Sequence, residues 1–317
     1  MTIPARKLSA LALLGAVLVG CGGGAADTAG RSGAASPARP SGSTSAAPSG
    51  TTAGADPAHE PGGQPSAKAG APPAPGHRAA PARKAPPTLA PAAGGLTPVY
   101  SHRAKSTEKV VALTFDADMT ADQGPRAARG EHFDNPQLIA TLRRLKVDAT
   151  VFMTGRWAEE YPDQARSIGN DARFEIANHS FSHYAFANPC YGLPTVARPD
   201  MAADVQRAFD AFRDAGATNV VPYFRFPGGC YDDEARRALA PAGVTAVQWD
   251  VVSGDAFAKD ADAVAEQVLS EVKPGSLVVM HCTRSAAPVT ERAIRRIVPE
   301  LRAKGYRFVK VSELMSR

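Results

Sequence analysis

Seven short runs rich in β-branched and aromatic residues divide the C-terminal two-thirds of the chain, and their spacing constrains the fold more than any other feature. They are Val110 to Phe115, Ala149 to Thr154, Phe174 to Ala177, Tyr223 to Phe226, Val244 to Trp249, Leu277 to Met280 and Tyr306 to Val309. Between them fall stretches of helical periodicity, Pro136 to Leu145, Met201 to Ala215, Asp262 to Val272 and Val289 to Lys304, with Asp200 as an N-cap and Gly216 and Gly305 as C-terminal stops. Strands separated by helical crossovers pair in parallel, so the pattern predicts an α/β fold whose repeats make a barrel or partial barrel. No repeat of solenoid type is present.

The first 96 residues have no part in that pattern. Arg6 and Lys7 precede the apolar run Leu8 to Val19, too short to span a bilayer as a helix, which reads as an export signal. The run ends in Leu18-Val19-Gly20-Cys21, which resembles the lipobox of bacterial lipoproteins. Cleavage before Cys21 and lipidation of its thiol predict an exported chain anchored to the outer face of the bacterial membrane, facing the cell wall. The alternative is an ordinary signal peptide cut near Ala25 or Ala26. Residues 22–96 are dominated by Ala, Pro, Gly, Ser and Thr, with too little apolar surface to offset the entropy of ordering, and predict a disordered linker reaching on the order of 50 Å as a random coil. Segment 1–96 holds eight Lys/Arg and three Asp/Glu, which leaves 28 charges of each sign in 97–317. The net charge of +5 therefore belongs to the tail, and a nucleic-acid partner loses its support.

Chemistry-bearing residues stand just after the strands, where parallel α/β folds gather their catalytic loops. The first strand runs into Asp116-Ala117-Asp118, and the third into His179-Ser180-Phe181-Ser182-His183. Histidines four apart on one helical turn face the same way and can share a metal ion. Either motif alone is common as a surface or packing feature. Together they offer neutral imidazoles and a carboxylate as ligands, with a second carboxylate left over as a base.

These residues resemble the polysaccharide deacetylases, the NodB homology domain or carbohydrate esterase family four, across nearly all of 107–317. The family's Thr-Phe-Asp-Asp-Gly is matched by Thr114-Phe115-Asp116-Ala117-Asp118, and its Asn-His-Ser/Thr-x-x-His by Asn178 to His183. Phe224-Arg225-Phe226-Pro227-Gly228-Gly229, Trp249 to Asp255, and Leu277-Val278-Val279-Met280-His281 match the third, fourth and fifth motifs. The resemblance implies a distorted (β/α) barrel of about seven parallel strands over 97–317. It also implies one divalent metal, zinc in most members, with cobalt, nickel or manganese as substitutes, and hydrolysis of N-acetyl groups on a glycan.

Two motifs depart from the family. Ala117 stands where a metal-binding aspartate is usual, so the resemblance assigns the ligand duty to Asp118, with His179 and His183, and leaves Asp116 as base. Asp255-Ala256 replaces an Asp-Trp pair, which removes an aromatic wall. In the implied mechanism Arg225 holds Asp116 ionised, His281 is the acid for the leaving amine, Asp255 orients it, and a backbone N–H near Gly228 stabilises the oxyanion. Tyr191 and Tyr231 lie in motif-flanking loops where they can line a groove, whereas Phe224, Phe226 and Trp249 read as core. The expected substrate is a cell-wall or polymeric glycan, peptidoglycan ahead of chitin, acted on by a monomer. The alternatives are an O-acetyl esterase of the xylan type and a catalytically weak glycan-binding module.

Besides Cys21 the chain has Cys190, Cys230 and Cys282, which allow one disulfide in any of three pairings. Cys190 with Cys230 is the preferred pair. Zinc binding by these cysteines is the rival reading, but no CxxC knuckle is present.

Overall fold

The computed structural model describes residues 85–317. The lipobox with Cys21 and most of the linker lie outside the described residues. Among those described, no helix is long and apolar enough to cross a membrane.

All seven predicted strands form, and two short ones join them. The strands are β1 Val99–Tyr100, β2 Val110–Ala117, β3 Ala149–Met153, β4 Phe174–Asn178, β5 Val220–Phe224, β6 Thr245–Val247, β7 Val251–Val252, β8 Ser276–His281 and β9 Arg307–Phe308. They pair in parallel in the order β1-β6-β5-β4-β3-β2-β8-β7, with β9 alongside β2. The helices are α1 Gly124–Ala127, α2 Pro136–Arg144, α3 Gly155–Glu160, α4 Pro162–Gly169, α5 Met201–Asp214, α6 Asp233–Leu239, α7 Ala261–Glu271, α8 Thr290–Ala303 and α9 Val311–Met315.

All eight residues of β2 are buried, as expected of a parallel strand covered on both faces. Alternation then separates two cores. Val111, Leu113, Phe115 and Ala117 join the cluster under the helices, while Val110 and Ala112 join Phe152, Ala177, Tyr223 and Leu277 inside the curl. Arg225, just beyond β5, donates to Asp116 of β2 at 2.6 Å, although β3 and β4 lie between those strands. A flat sheet would hold the two about 14 Å apart, so the sheet is curled into a half-barrel.

Gly216 and Gly305 stop their helices at φ 79° and 86°. Asp200 occupies the N-cap position of α5 but makes no side-chain cap bond, because its own backbone is already helical. Residues 85–96, given to the linker by composition, lie on the domain: Tyr223 donates its hydroxyl to the Pro87 carbonyl at 2.8 Å, and Leu89 N–H donates to Thr245 Oγ1.

Candidate active site

Asp116 is the penultimate residue of β2, 4% exposed, and faces the interior of the curl. Its Oδ1 accepts from Arg225 Nη1, while Arg225 Nη2 donates to Thr114 Oγ1 at 2.9 Å and Nε to the Val247 carbonyl at 3.2 Å. The wholly buried guanidinium also stacks over Phe152, 3.9 Å from the ring centre. Burial alone would raise the pKa of Asp116, but Arg225, followed by His179 and His281, outweighs it and holds the carboxyl below its ordinary range. Oδ2 makes no hydrogen bond among the described residues and stands 3.8 Å from His179 Nε2.

His281 closes β8 in register with Asp116. Its Nδ1–H donates to Asp255 Oδ1 at 2.8 Å and its backbone N–H to Oδ2 at 2.7 Å. Ser253 and Thr290 donate hydroxyls to the same buried carboxylate. Burial works against a charged imidazole, yet the hydrogen bond and charge of Asp255 prevail and push the His281 pKa up to about 10. Nε2 has no partner among the described residues.

The two motif histidines are not on a helical turn. Residues 179–183 form an irregular loop with Ser180 and His183 at φ 68° and 57°, so the predicted i, i+4 face is replaced by a tight reversal. Side chains hold it. Asn178 Oδ1 accepts the Ser180 N–H, Ser180 Oγ accepts the His183 N–H, and buried Asp204 on α5 accepts the Phe181 N–H at 2.7 Å. The imidazole centres are 5.0 Å apart. His179 Nδ1–H donates to the Arg225 carbonyl, an acceptor only, which leaves Nε2 as a bare lone pair. His183 Nε2 lies 4.0 Å from Asp118 Oδ2, and burial lowers its pKa to about 4, so the ring stays neutral. Thr283 braces Asp118 by accepting its N–H and donating to Oδ1.

Among the described residues no three of His, Cys, Asp and Glu close around one position as a metal cage does. The donors nevertheless fit a divalent cation: two imidazoles, one with its tautomer set by a backbone carbonyl, beside the Asp118 Oδ2 that accepts no hydrogen bond among the described residues. Ala117 takes no part, since its side chain is buried under the helices.

Asp116, Asp118, His179, His183, Arg225, Asp255 and His281 thus meet at the C-terminal edge of the sheet. Beside them, the ring of Tyr231 stacks on Phe226, and the N–H of Gly229, next to Gly228, donates to the Phe226 carbonyl. Cys190 and Cys230 are joined, tying the loop after β4 to the loop after β5. Gly228, at φ 65°, packs against that bridge so closely that a Cβ would stand 2.6 Å from Cys190 Sγ. Cys282 is a buried free thiol whose pKa burial pushes up to about 12. Asp204, Thr283, Thr290 and Ser253 escaped the sequence reading. Asp204 carried a signal, an acid on the buried face of an amphipathic helix.

Residues 103–247 match the polysaccharide deacetylase family profile. A chitooligosaccharide deacetylase of Sinorhizobium fredii is 28% identical over 198 residues, 59% of this chain and 86% of its own. A peptidoglycan N-acetylglucosamine deacetylase of Bacillus cereus is 27% identical over 212 residues, 66% of this chain and 90% of its own. Among solved structures, a mutant of a family-four carbohydrate esterase pseudoenzyme from Bacillus anthracis, with restored enzymatic activity, is 25% identical, covers 72% of each chain and superposes with a TM-score of 0.55. Over the matched residues 103–247 the sequence is that of a polysaccharide deacetylase domain, similar to those of carbohydrate esterase family four.

Proposed function

We propose that this domain is a metal-dependent hydrolase that removes N-acetyl groups from a polymeric glycan, peptidoglycan ahead of chitin, and that a lipid on Cys21 tethers it to the outer face of the membrane. The observation that carries the reading is the pairing at the ends of β2 and β8. One carboxylate is bound to a permanent cation, and one imidazole is bound to a carboxylate. Amide hydrolysis needs that asymmetry, a base that is empty and an acid that is loaded at the same pH.

Asp118, His179 and His183 would hold the metal. When bound, a divalent cation there supplies Lewis acidity, polarising the acetyl carbonyl and lowering the pKa of the attacking water. Asp116 takes that water's proton on Oδ2, the oxygen that Arg225 leaves free. His281 gives a proton from Nε2 to the departing amine, and Asp255 keeps the ring turned and charged. A backbone N–H near Gly228 is the remaining oxyanion donor, and Tyr231 the aromatic beside the sugar. The membrane-facing tether favours wall glycan, which the domain meets first.

A second reading, a weakly catalytic glycan-binding domain, draws on the pseudoenzyme relative and on alanine at position 117. Acetate release from peptidoglycan, N-acetylglucosamine oligomers and acetylated xylan, each with and without chelator, separates them. The proposal predicts chelator-sensitive release from the first two. Release from xylan alone supports an O-acetyl esterase, and no release with retained glycan binding supports the binding domain.

A further inference from the structure

Among the described residues three aromatic side chains stand open to solvent, Tyr191, Tyr231 and Phe257, and all three lie on loops that follow strands at the catalytic edge. Tyr191 is 89% exposed and Phe257 80%. A lone exposed aromatic needs no explanation, but their confinement to one rim does.

Their backbones are also unusual. Tyr191 and Phe257 have φ of 49° and 60°, a region that bulky residues avoid and that persists only where the surroundings impose it. At Tyr191 the neighbouring Cys190–Cys230 bridge does so, and the ring covers side-chain-free Gly228, with its Cδ2 3.3 Å from where a Cβ would stand. At Phe257 the N–H donates to the Ala286 carbonyl, which pins this loop to the one that follows His281. Asp255, two residues earlier, holds His281 itself. Both rings are therefore mounted on the segments that position catalytic groups, and neither turns inward to the core.

We propose that Tyr191 and Phe257 are stacking platforms for pyranose rings on either flank of the reacting sugar, so that the site takes a chain of N-acetylhexosamines rather than a single one. An aromatic face offers apolar area at little conformational cost, and the axial C–H face of a β-linked hexosamine is its complement. This rests on the deacetylase reading and adds the length of substrate that the rim recognises.

The test uses the purified full chain with Tyr191→Ala, Phe257→Ala and the ring-keeping Tyr191→Phe and Phe257→Tyr. Each is assayed for acetate release from the N-acetylglucosamine dimer and hexamer, and for hexamer binding by calorimetry. Each alanine variant is expected to lose about five- to tenfold in kcat/KM on the hexamer, carried by KM, and clearly less on the dimer, while the ring-keeping variants recover the loss. Equal losses on dimer and hexamer, a hexamer rate equal to the parent's, or no recovery with the ring-keeping variants would overturn the proposal. Should the parent release no acetate from any glycan, the deacetylase reading fails. Hexamer binding then decides the rim separately: weaker binding in the alanine variants upholds it, and equal binding overturns it.

Discussion

Two buried carboxylates face the inside of the same curled sheet from opposite ends, and they are treated in opposite ways. Asp116, at the C-terminal end of β2, meets the Arg225 guanidinium and is held below its ordinary pKa. Glu175, at the N-terminal end of β4, accepts its hydrogen bonds from neutral donors, Thr150 Oγ1 and both the N–H and the hydroxyl of Ser312 on α9, and the charge of Lys310 is the smallest influence on it. Burial dominates there, and its pKa is raised. The same burial thus leaves a carboxyl held low where a guanidinium has been built against it, and one pushed up, clasping the C-terminal helix, where neutral donors surround it.

Exchanging each acid for its amide should break this comparison most sharply. Asp116→Asn should lower turnover on an N-acetylated oligomer by about a hundred- to ten-thousand-fold, whereas Glu175→Gln should stay within about threefold, measured as initial acetate release. Similar losses in both would mean that Asp116 has only a structural part.

Arg225→Met leaves Asp116 buried without its cation and should cost about 3–5 kcal/mol in denaturant unfolding. The Cys190–Cys230 bridge spans 40 residues of sequence, so Cys190→Ser with Cys230→Ser should cost up to about 4 kcal/mol under oxidising conditions and should loosen the rim that carries Tyr191.

The smallest effect is the pH slope. Because the Glu175 pKa is raised on folding, the native state binds the extra proton, and this group destabilises the fold progressively as pH rises above the ordinary carboxylate range. Asp116 has the opposite sign: its contribution is present above the unfolded carboxylate pKa and is lost as pH falls through its lower folded value. Glu175→Gln should therefore gain stability relative to the parent as pH rises above the ordinary carboxylate range, read as the difference in unfolding midpoints. A constant difference above that range would contradict the assignment.

How much of this was legible in the sequence follows from what each feature depends on. The seven strands and four long helices are written in local apolar periodicity, and the structure forms all of them. The two-residue strands β1 and β7 carry no periodicity and exist only because β6 and β8 lie beside them. The helical geometry assumed for His179 and His183 failed because spacing reports separation along the chain, whereas Asp204 on a later helix and the side chains of Asn178 and Ser180 shape that loop. Phe257 was hidden for a related reason, since an aromatic residue reads as core until its surroundings are known. Arg225 and Asp255 were legible through motif resemblance alone, since nothing local in the sequence pairs residues 109 positions apart.

The division of labour between the two acids of Asp116-Ala117-Asp118 is the centre of the account, and metal content tests it most directly. Asp118→Ala and Asp116→Asn, purified side by side and assayed for bound divalent metal and for acetate release, should both be inactive on N-acetylglucosamine oligomers. Asp118→Ala should have lost its metal, while Asp116→Asn should keep parental occupancy. Full occupancy in Asp118→Ala, or loss of metal in Asp116→Asn, would contradict the account and assign the ligand and base roles differently.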